Sequence, residues 1–315
     1  MAITLVLSGI FVSLSCFLKV TLGEEIAGGK TAIVTGANTG IGKETALDFA
    51  QRGARVILAC RNEEKAKDAA RDIIAETGSD KVVVRILDLA SFDSVRAFAK
   101  LINETEERLD ILVNNAGLAG SYRVTKDGYE SIFQVNYISH FLLTLLVMEK
   151  LKKSAPSRIV NVSSLAHTTK GAAFQLDDFK LSKDKFDAFV RYAQSKLAQV
   201  VFTKELSKRL QGTGVTVYAL HPGAVKSDIW RYWKLLHKPY MKPLVQLLMF
   251  LLFKDCKQGA QTTIYCSVVE ELEGITGLYY SDCQVKECNP LAKDPGLAKK
   301  LWDVSERLTG ESWNN

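Results

Sequence analysis

The chain has 315 residues, of which 47% are hydrophobic, and carries a formal net charge of +6. This length and apolar content are sufficient for one large α/β domain, and no Pro/Gly/Ser-rich linker, low-complexity tract or internal repeat divides it. The lysines and arginines are scattered and form no basic patch interleaved with aromatic residues, so we expect no nucleic-acid partner. The six cysteines lack the spacing of metal ligands, so we predict no metal site.

Residues 2–18 are uncharged and mostly apolar, and Lys19 follows them. The run is short for a membrane span of about 20 residues, although apolar residues continue beyond Lys19, whose charge could snorkel. A cleaved signal peptide, the main alternative, would have a basic residue before the apolar run and a clear small-residue cleavage site. We therefore predict a retained membrane anchor and short linker over residues 1–27. The same run could also form a core β-strand or an amphipathic surface helix.

The charges that flank this segment also predict its orientation. Lys19 and Lys30 follow the apolar run, and positive charge is typical of the cytoplasmic side of a membrane segment. We therefore expect the domain that follows the anchor to lie in the cytosol. Glu24 and Glu25 dilute this positive flank and weaken the prediction.

The next segment predicts a strand, a glycine-rich turn and a helix. Thr31–Thr35 is a short apolar, β-branched run typical of a buried strand, and Lys43–Arg52 has the pattern of a helix. Between them lie Gly36, Gly40 and Gly42, with the spacing Gly-x-x-x-Gly-x-Gly. This arrangement lets backbone N–H groups at a helix N-terminus bind a pyrophosphate, although the commonest dinucleotide motif is Gly-x-Gly-x-x-Gly. An ordinary tight turn is the alternative.

Strand-like and helical patterns then alternate along the chain. The strand-like runs are Thr31–Thr35, Arg55–Ala59, Lys81–Leu87, Ile111–Val113, Arg158–Val162, Val215–Leu220 and Gly277–Tyr280. The later helical patterns are Glu63–Glu76, Ser91–Glu107, Tyr129–Lys152 and Phe186–Leu210. This alternation predicts an α/β fold with one doubly wound, Rossmann-type parallel sheet and helices on both faces. Ligands are then expected at the carboxyl ends of the strands.

The cysteines fit this fold as ordinary side chains. Cys60 ends a strand-like run and Cys266 lies in a helical segment, so we expect both in the core. Cys283 and Cys288 could pair in an oxidising compartment, but nothing in the sequence requires a disulfide. We expect free thiols in a reducing compartment.

Tyr192 and Lys196 are four residues apart, so on a helix they project from one face, one turn apart. A free tyrosine has a pKa of about 10, and both a neighbouring ammonium and the positive charge of an oxidised nicotinamide would lower it. A tyrosine tuned in this way can give a proton to a carbonyl oxygen while a hydride arrives at the carbon. A solvated helix face with a snorkelling lysine is the alternative for this pair taken alone.

Further motifs follow the glycine turn in a fixed order: Asn114–Gly117, Asn161–Ser164, Tyr192 with Lys196, and Pro222–Gly223. This series resembles the short-chain dehydrogenase/reductase superfamily, and the resemblance runs from about Lys30 to Trp302. Finer strings resemble its membrane-bound, NADPH-preferring retinol dehydrogenases and their orphan relatives. These strings are Thr35–Ala46, Leu58–Arg61, Leu87–Ser91, Ala155–Arg158, Ser195–Ala198 and His221–Gly223.

The resemblance implies a set of four catalytic residues. Ser164 would hold the substrate oxygen beside Tyr192, the general acid/base, and Lys196 would bind the nicotinamide ribose and lower the pKa of Tyr192. Asn136 would hold a water that connects Lys196 to solvent. As a polar residue within a helix, Asn136 could also join two elements by hydrogen bonds. Gln199 departs from the family pattern, because close relatives often have asparagine there, but this removes no catalytic group.

The resemblance also implies the residues that bind the cofactor. They are Gly36, Asn38, Thr39, Gly40, Ile41, Gly42, Arg61, Asp88, Asn115, Ala116, Gly117, Tyr192, Lys196, Pro222, Gly223 and Val225. An acidic residue after the second strand would bind the ribose 2′-hydroxyl of NAD, whereas Arg61 could pair with a 2′-phosphate, which favours NADP(H). A surface arginine is the alternative. Asp88 would contact the adenine, or cap a helix in competition with Ser91.

The alternating pattern breaks between Gly223 and Gln258, where this superfamily places its substrate loop. Trp230–Trp233 is aromatic, and Leu244–Phe253 is apolar all round but too short to span a bilayer. A buried helix is one interpretation. We expect instead a loop over about residues 224–258, within a catalytic domain of residues 28–315, that covers a lipophilic substrate and could rest in the membrane interface.

The leading hypothesis is therefore an NADP(H)-dependent oxidoreductase that interconverts a small lipophilic carbonyl compound and its alcohol, with retinal and retinol as the pair the resemblance implies. Steroid ketones and lipid-derived aldehydes are alternatives. A catalytically lapsed scaffold on membranes or lipid droplets is the alternative outside the enzymes, and the intact catalytic set argues against it. Membrane lipid and a second copy of the chain are candidate partners. The endoplasmic reticulum membrane is the expected location, with lipid droplets or another intracellular membrane as alternatives.

Overall fold

The computed structural model describes residues 28–173, 179–225 and 254–313. The predicted anchor and linker over residues 1–27, and the aromatic and apolar runs within residues 226–253, lie outside these ranges. Within the described ranges, no helix is both long enough and apolar enough to cross a bilayer.

The described residues form one sheet of eight strands in the order β3-β2-β1-β4-β5-β6-β7-β8. Strands β1 to β7 are parallel, and β8 pairs with β7 in the antiparallel sense. Their bounds are β1 Thr31–Thr35, β2 Arg55–Cys60, β3 Val82–Ile86, β4 Ile111–Asn114, β5 Ser157–Val162, β6 Val215–His221, β7 Tyr279–Ser281 and β8 Gln284–Val285. The strand order reverses between β1 and β4, which opens a crevice at their carboxyl ends.

The α-helices connect the strands and lie on both faces of the sheet. Their bounds are α1 Gly40–Gln51, α2 Glu63–Thr77, α3 Phe92–Thr105, α4 Ser131–Phe133, α5 Ser139–Leu146, α6 Met148–Lys153, α7 Ala188–Arg209, α8 Cys256–Val268 and α9 Pro295–Thr309. Side chains of α1, α2 and α8 form the core on one face, and those of α3, α5, α7 and α9 form the core on the other. The predicted doubly wound, Rossmann-type sheet is therefore confirmed.

Helix α3 shows how local sequence produces these elements. Ser91 caps the helix, because its side chain accepts a hydrogen bond from the Ser94 N–H at 3.1 Å. Val95, Phe98 and Ile102 recur at helical spacing and are buried against the sheet. One polar cap and one apolar face are thus enough to begin this helix and to orient it.

The prediction of one continuous helix over Tyr129–Lys152 is wrong. The segment contains α4, a π-helical turn at Gln134–Ile138, then α5 and α6. The π-helical turn has a cause outside the segment, since the Asn136 carbonyl oxygen accepts a hydrogen bond from the Gln199 side chain of α7. A sequence pattern confined to residues 129–152 contains no sign of that partner.

The C-terminal third also differs from prediction. The last predicted strand, Gly277–Tyr280, begins two residues late, at Tyr279, and short β8 was not predicted. Asp282 and Cys283 turn the chain between β7 and β8 with φ values of 54° and 55°, which non-glycine residues rarely adopt. Helix α8 begins at Cys256, so the predicted substrate loop ends before Gln258.

The cysteines confirm most of the expectation. Cys60 and Cys266 are buried in the core, and Cys60, Cys256, Cys266 and Cys288 carry free thiols. The suggested Cys283–Cys288 disulfide is therefore not formed. Cys283 is disulfide-bonded, so the expectation of free thiols is wrong at that position.

Candidate active site

The glycine turn and the loop after β4 are tied together at the crevice. The Thr35 hydroxyl oxygen accepts hydrogen bonds from the backbone N–H groups of Asn115 and Ala116, both at 2.9 Å. The Asn115 side chain donates in return to the Thr35 carbonyl oxygen at 2.8 Å. Asn115 therefore supports the glycine turn through its side chain and lines the crevice as well.

The glycine turn has the shape that a pyrophosphate needs. Gly36 and Gly40 have φ values of +67° and +61°, which favour glycine. A Cβ atom at Gly42 would lie 2.5 Å from the Asn115 Nδ2 atom and 2.6 Å from the Gly36 carbonyl oxygen. In the fully described first turn of α1, Thr39 makes no side-chain capping bond and no acidic residue is present, so the positive end of the helix can receive an anion.

One cavity of about 1330 Å³ runs along the carboxyl ends of the strands. Every residue predicted to bind the cofactor lines this cavity, from Gly36 to Val225, and so does Ser164. Asn136 does not line it. The residues predicted from widely separated motifs therefore meet at one site, although their individual roles remain predictions.

The adenosine end of the cavity contains Arg61 and Asp88. Arg61 follows the last residue of β2 and is exposed at the cavity. One Asp88 carboxylate oxygen accepts a hydrogen bond from the Ala90 N–H at 3.0 Å. The residue that caps α3 is Ser91, so the helix-cap interpretation of Asp88 is wrong, and its contact with adenine stays a prediction.

Tyr192 and Lys196 lie on α7 at the other end of the cavity. The Lys196 Nζ atom donates to the Val162 carbonyl oxygen at 2.7 Å and lies 5.6 Å from the Tyr192 ring centroid. Burial lowers the pKa of Lys196 to about 8. Burial also raises the pKa of Tyr192, against a smaller lowering by its hydrogen bond with the Ser164 hydroxyl. The predicted lowering of the Tyr192 pKa is therefore not found in the protein alone, because desolvation outweighs its neighbours.

Asn136 joins the π-helical turn to two other segments. Its side-chain oxygen accepts from the Leu118 N–H at 2.8 Å, and its amide nitrogen donates to the Leu118 carbonyl oxygen and the Ser195 hydroxyl, both at 3.0 Å. This is the bridging role considered from the sequence. A water held for Lys196 stays a prediction.

The backbone carbonyl of Asn136 is engaged as well. It accepts from the Gln199 side-chain amide and contacts the His140 Nδ1 atom at 3.2 Å. The Thr35 hydroxyl lies 3.1 Å from the His140 Nε2 atom and 3.3 Å from the Val113 carbonyl oxygen. Burial lowers the pKa of His140 to about 3, which keeps the ring neutral.

Ser164 lies two residues after the end of β5 and caps a short 3₁₀ turn at Leu165–Thr168. Its hydroxyl oxygen accepts from the Ala166 N–H at 3.2 Å. Leu165, the next residue, and Phe189, three residues before Tyr192 on α7, line the same cavity with apolar side chains that are 60% and 43% exposed. The reacting end of the cavity therefore combines a serine and a tyrosine with an open apolar rim.

Sequence reasoning missed three histidines near this site: His140, His167 and His221. His221 lines the cavity, and His167 lies buried behind Ser164. The only signal was their proximity to motifs, since His221 precedes Pro222–Gly223 and His167 follows Ser164 by three residues.

Comparisons with known proteins agree with this geometry. A family model described as short chain dehydrogenase matches residues 30–176 and 180–235. Retinol dehydrogenase 13 of Mus musculus is 49% identical over 283 residues, covering 90% of this chain and 84% of the relative. Retinol dehydrogenase 11 of Mus musculus is 51% identical over 284 residues, covering 90% and 87%.

Two solved structures share the fold. An uncharacterized protein from Mycobacterium paratuberculosis has a TM-score of 0.73 at 32% identity, covering 91% of this chain and 96% of that one. The Pseudomonas aeruginosa RhlG/NADP active-site complex has a TM-score of 0.65 at 24% identity, covering 82% and 96%. The chain belongs to the short-chain dehydrogenase family, as the motifs predicted. It is an oxidoreductase.

Proposed function

We propose that this protein interconverts a hydrophobic aldehyde or ketone and its alcohol with NADP(H), and that retinal and retinol are its substrate pair. The observation that carries this proposal is the shared cavity. It joins the anion-binding glycine turn to the hydrogen-bonded Ser164 and Tyr192 and ends at an apolar rim. A bound nicotinamide would supply or accept the hydride.

The chain's own residues supply the remaining steps of the proposed reaction. Ser164 orients the carbonyl oxygen of the substrate, and Tyr192 gives that oxygen its proton or removes it in the reverse direction. The Lys196 Nζ atom donates to the Val162 carbonyl oxygen and lies beside Gly117, where it can hold ribose hydroxyls. Asn136 keeps the Gly117–Leu118 segment in place through its hydrogen bonds with Leu118 and Ser195.

The preference for NADP(H) rests on Arg61. It is the exposed residue after β2, where an acidic side chain would recognise an unphosphorylated ribose. A guanidinium there can form charge-assisted hydrogen bonds with a 2′-phosphate. No carboxylate replaces it in the segment Cys60–Asn62.

The substrate class rests on two independent supports. Relatives at 49% and 51% identity carry the name retinol dehydrogenase. Leu165 and Phe189 present apolar surface in the cavity that Ser164 lines, which suits a long hydrocarbon better than a sugar or an amino acid. Steroid ketones and lipid-derived aldehydes would use the same surface, so they belong in the test.

The test is oxidation of NADPH by the full chain in detergent, with retinal, nonanal and a ketosteroid as substrates. Retinal is expected to give the highest kcat/KM. Tyr192→Phe should lower kcat by about 10²–10⁴-fold while NADPH binding changes little, because the hydroxyl transfers a proton and does not hold the cofactor. Tyr122→Phe, which removes a phenol outside the cavity lining, is the matched control.

The outcomes separate the candidate functions. A higher rate with the ketosteroid or nonanal would replace retinal as the substrate. Bound NADPH without turnover of any of these carbonyls would favour a lapsed scaffold. Activity of Tyr192→Phe above a few per cent of wild type would contradict the assigned general acid/base.

We also propose that the catalytic domain of residues 28–315 is attached to the endoplasmic reticulum membrane by residues 1–27 and faces the cytosol. The chain should then resist alkaline carbonate extraction, and protease should degrade the domain in intact microsomes. Glycosylation at Asn103 is a poor reporter of orientation. This residue lies within α3, and its side-chain amide donates to the Leu146 carbonyl oxygen at 2.9 Å.

A further inference from the structure

The peptide bond between Ser164 and Leu165 is held from both sides by imidazole rings. The His167 Nδ1 atom lies 2.6 Å from the Ser164 carbonyl oxygen. The Leu165 N–H, at the opposite edge of the same peptide plane, donates to the His221 Nδ1 atom at 3.2 Å. The two rings come from different elements, since His167 lies in the 3₁₀ turn and His221 ends β6.

These contacts fix the proton positions on both rings. A carbonyl oxygen only accepts hydrogen bonds, so His167 must carry its proton on Nδ1. A backbone N–H only donates, so His221 must present a lone pair at Nδ1 and, when neutral, carry its proton on Nε2. The two histidines are thus opposite tautomers that meet one peptide plane.

The surroundings keep both rings neutral and in place. Burial lowers the pKa of His167, and it lowers the pKa of His221 to about 4. Lys254, His167 and Lys196 add to this lowering at His221, and Asp282 opposes it. The His167 ring packs against Tyr279 with centroids 4.6 Å apart.

We propose that His167 and His221 are positioning residues that fix the Ser164–Leu165 peptide plane and thereby aim the Ser164 hydroxyl at Tyr192. This proposal rests on the proposed function for its catalytic consequence. A fixed plane sets the ψ angle of Ser164, which is 156°, and with it the direction of the Cα–Cβ bond relative to the 3₁₀ turn, whose Ala166 N–H donates to the Ser164 hydroxyl oxygen at 3.2 Å. The His167 backbone N–H also donates to the Ser164 carbonyl oxygen at 3.1 Å, so His221 is the group that holds the N–H edge of this plane. Reacting groups must be held within about 0.5 Å, so loss of the His221 contact would slow turnover.

The hydrogen bond between His221 and Leu165 also connects the two loops that would bind the cofactor and the substrate. His221 immediately precedes Pro222 and Gly223, which line the cavity on the cofactor side. Its hydrogen bond to Leu165 therefore ties the loop that would hold the nicotinamide to the loop that would hold the substrate oxygen. A change at His221 is expected to affect kcat more than the affinity for NADPH, because Ser164 is the group it constrains.

Three substitutions at His221 separate this role from general packing. Asparagine places an oxygen acceptor where Nδ1 lies, glutamine moves it one bond further away, and alanine removes it. His221→Ala and His221→Gln should lower kcat with retinal by about 10–100-fold, because misplacement of about 1 Å can cost that much. His221→Asn should retain most of the activity. Equal losses in the asparagine and glutamine variants would overturn the proposal.

A double-mutant cycle with Ser164→Ala tests whether His221 acts through the serine. If it does, His221→Ala should cause almost no further loss of kcat once Ser164 is alanine. If the two losses multiply instead, His221 supports the fold and not the serine, and the proposal is wrong. Absence of turnover by the wild type on every carbonyl would count against the proposed function. It would not count against the peptide clamp, that is, the hold of His167 and His221 on the Ser164–Leu165 peptide.

The clamp has a readout that needs no activity. The chain has four histidines, so nitrogen-15 labelling of histidine in the full chain gives few NMR signals, assigned by His167→Asn and His221→Asn. We expect His167 protonated on Nδ1 and His221 on Nε2, with neither ring titrating between about pH 5.5 and 8 because an unperturbed histidine has a pKa near 6.5. The same tautomer on both rings, or a titration in this range, would overturn the proposal.

Discussion

The two ends of the cavity are built in different ways. At the cofactor end the surface is mainly backbone, and Gly36 and Gly42 admit no Cβ atom without close contact to Ala116 or Asn115. Glycine leaves room at these positions for the loop after β4, which hydrogen-bonds to Thr35 across 80 residues of sequence.

At the reacting end the surface consists of side chains held by buried hydrogen bonds between distant parts of the chain. The partners Lys196 and Val162 are 34 residues apart, and Asn136 and Ser195 are 59 apart. The difference predicts that a substitution at the cofactor end acts through lost space beside the backbone, whereas one at the reacting end acts through lost side-chain hydrogen bonds. Substitutions at the two ends should therefore separate binding from turnover.

Gly42→Ala should give the largest effect at the cofactor end. The new methyl group would lie 2.5 Å from Asn115 Nδ2 and 2.6 Å from the Gly36 carbonyl oxygen, so the glycine turn must open. We expect the Kd for NADPH to rise by about 100-fold, equivalent to about 2.7 kcal/mol. Fluorescence titration of NADPH is the measurement.

The matched control is Gly296→Ala, at an exposed position of α9 where a Cβ atom meets only an Asp294 oxygen at 3.2 Å. Its Kd should equal that of the wild type. The contrast between the two ends would fail if Gly42→Ala lowered kcat at saturating NADPH while leaving the Kd unchanged.

Arg61→Asp should change the choice of cofactor with a smaller effect. The substitution removes a cation and places a carboxylate where it repels a 2′-phosphate. We expect the ratio of KM values to shift toward NAD(H) by about 10–100-fold, on the order of 1–3 kcal/mol.

Arg71→Asp makes the same charge change on the outer surface of α2, where Arg71 pairs with Asp68, and serves as the control. Its cofactor preference should remain that of the wild type. Equal use of NADH and NADPH by the wild-type protein would show that Arg61 is only a surface residue.

The same contrast explains how much the sequence could predict. Strands such as Thr31–Thr35 were found because short β-branched runs and glycine turns are local signals. Helix α9 carries signals of the same local kind, with Asp294 as cap, Pro295 at its first position and an apolar face, so it is predictable from its own segment. The π-helical turn at Asn136 depends on Gln199, 63 residues away, and could not be predicted from its own segment.

The same limit applies inside the site. The motifs identified Ser164 and Tyr192 without any knowledge of how they are held. The peptide clamp requires His221 to meet Leu165 across 56 residues of sequence, which depends on the pairing of β5 with β6. Most residues predicted from the motifs line the cavity, and Asn136 is a supporting residue that the motifs also identified, whereas the roles of His167 and His221 depend on contacts formed only in the folded chain.

Lys196→Met tests how much the buried charge of Lys196 lowers the free energy of unfolding. Burial lowers the pKa of Lys196 to about 8, below the value of about 10.4 in an unfolded chain. Below pH 8 both states are protonated, so the cost of the buried charge is fully present. Between about pH 8 and 10.4 the folded protein loses the proton first, and its free energy of unfolding rises relative to the variant.

We therefore expect Lys196→Met to be more stable than the wild type at pH 7, by on the order of 1–2 kcal/mol, although it is inactive. Denaturant unfolding of the full chain in detergent at several pH values measures the difference. It should shrink as the pH rises from 8 to 10. Lys208→Met removes an exposed lysine from the same helix and should show no such dependence. If the difference in free energy of unfolding stayed constant with pH, the contacts of Lys196 would fully offset the burial of its charge.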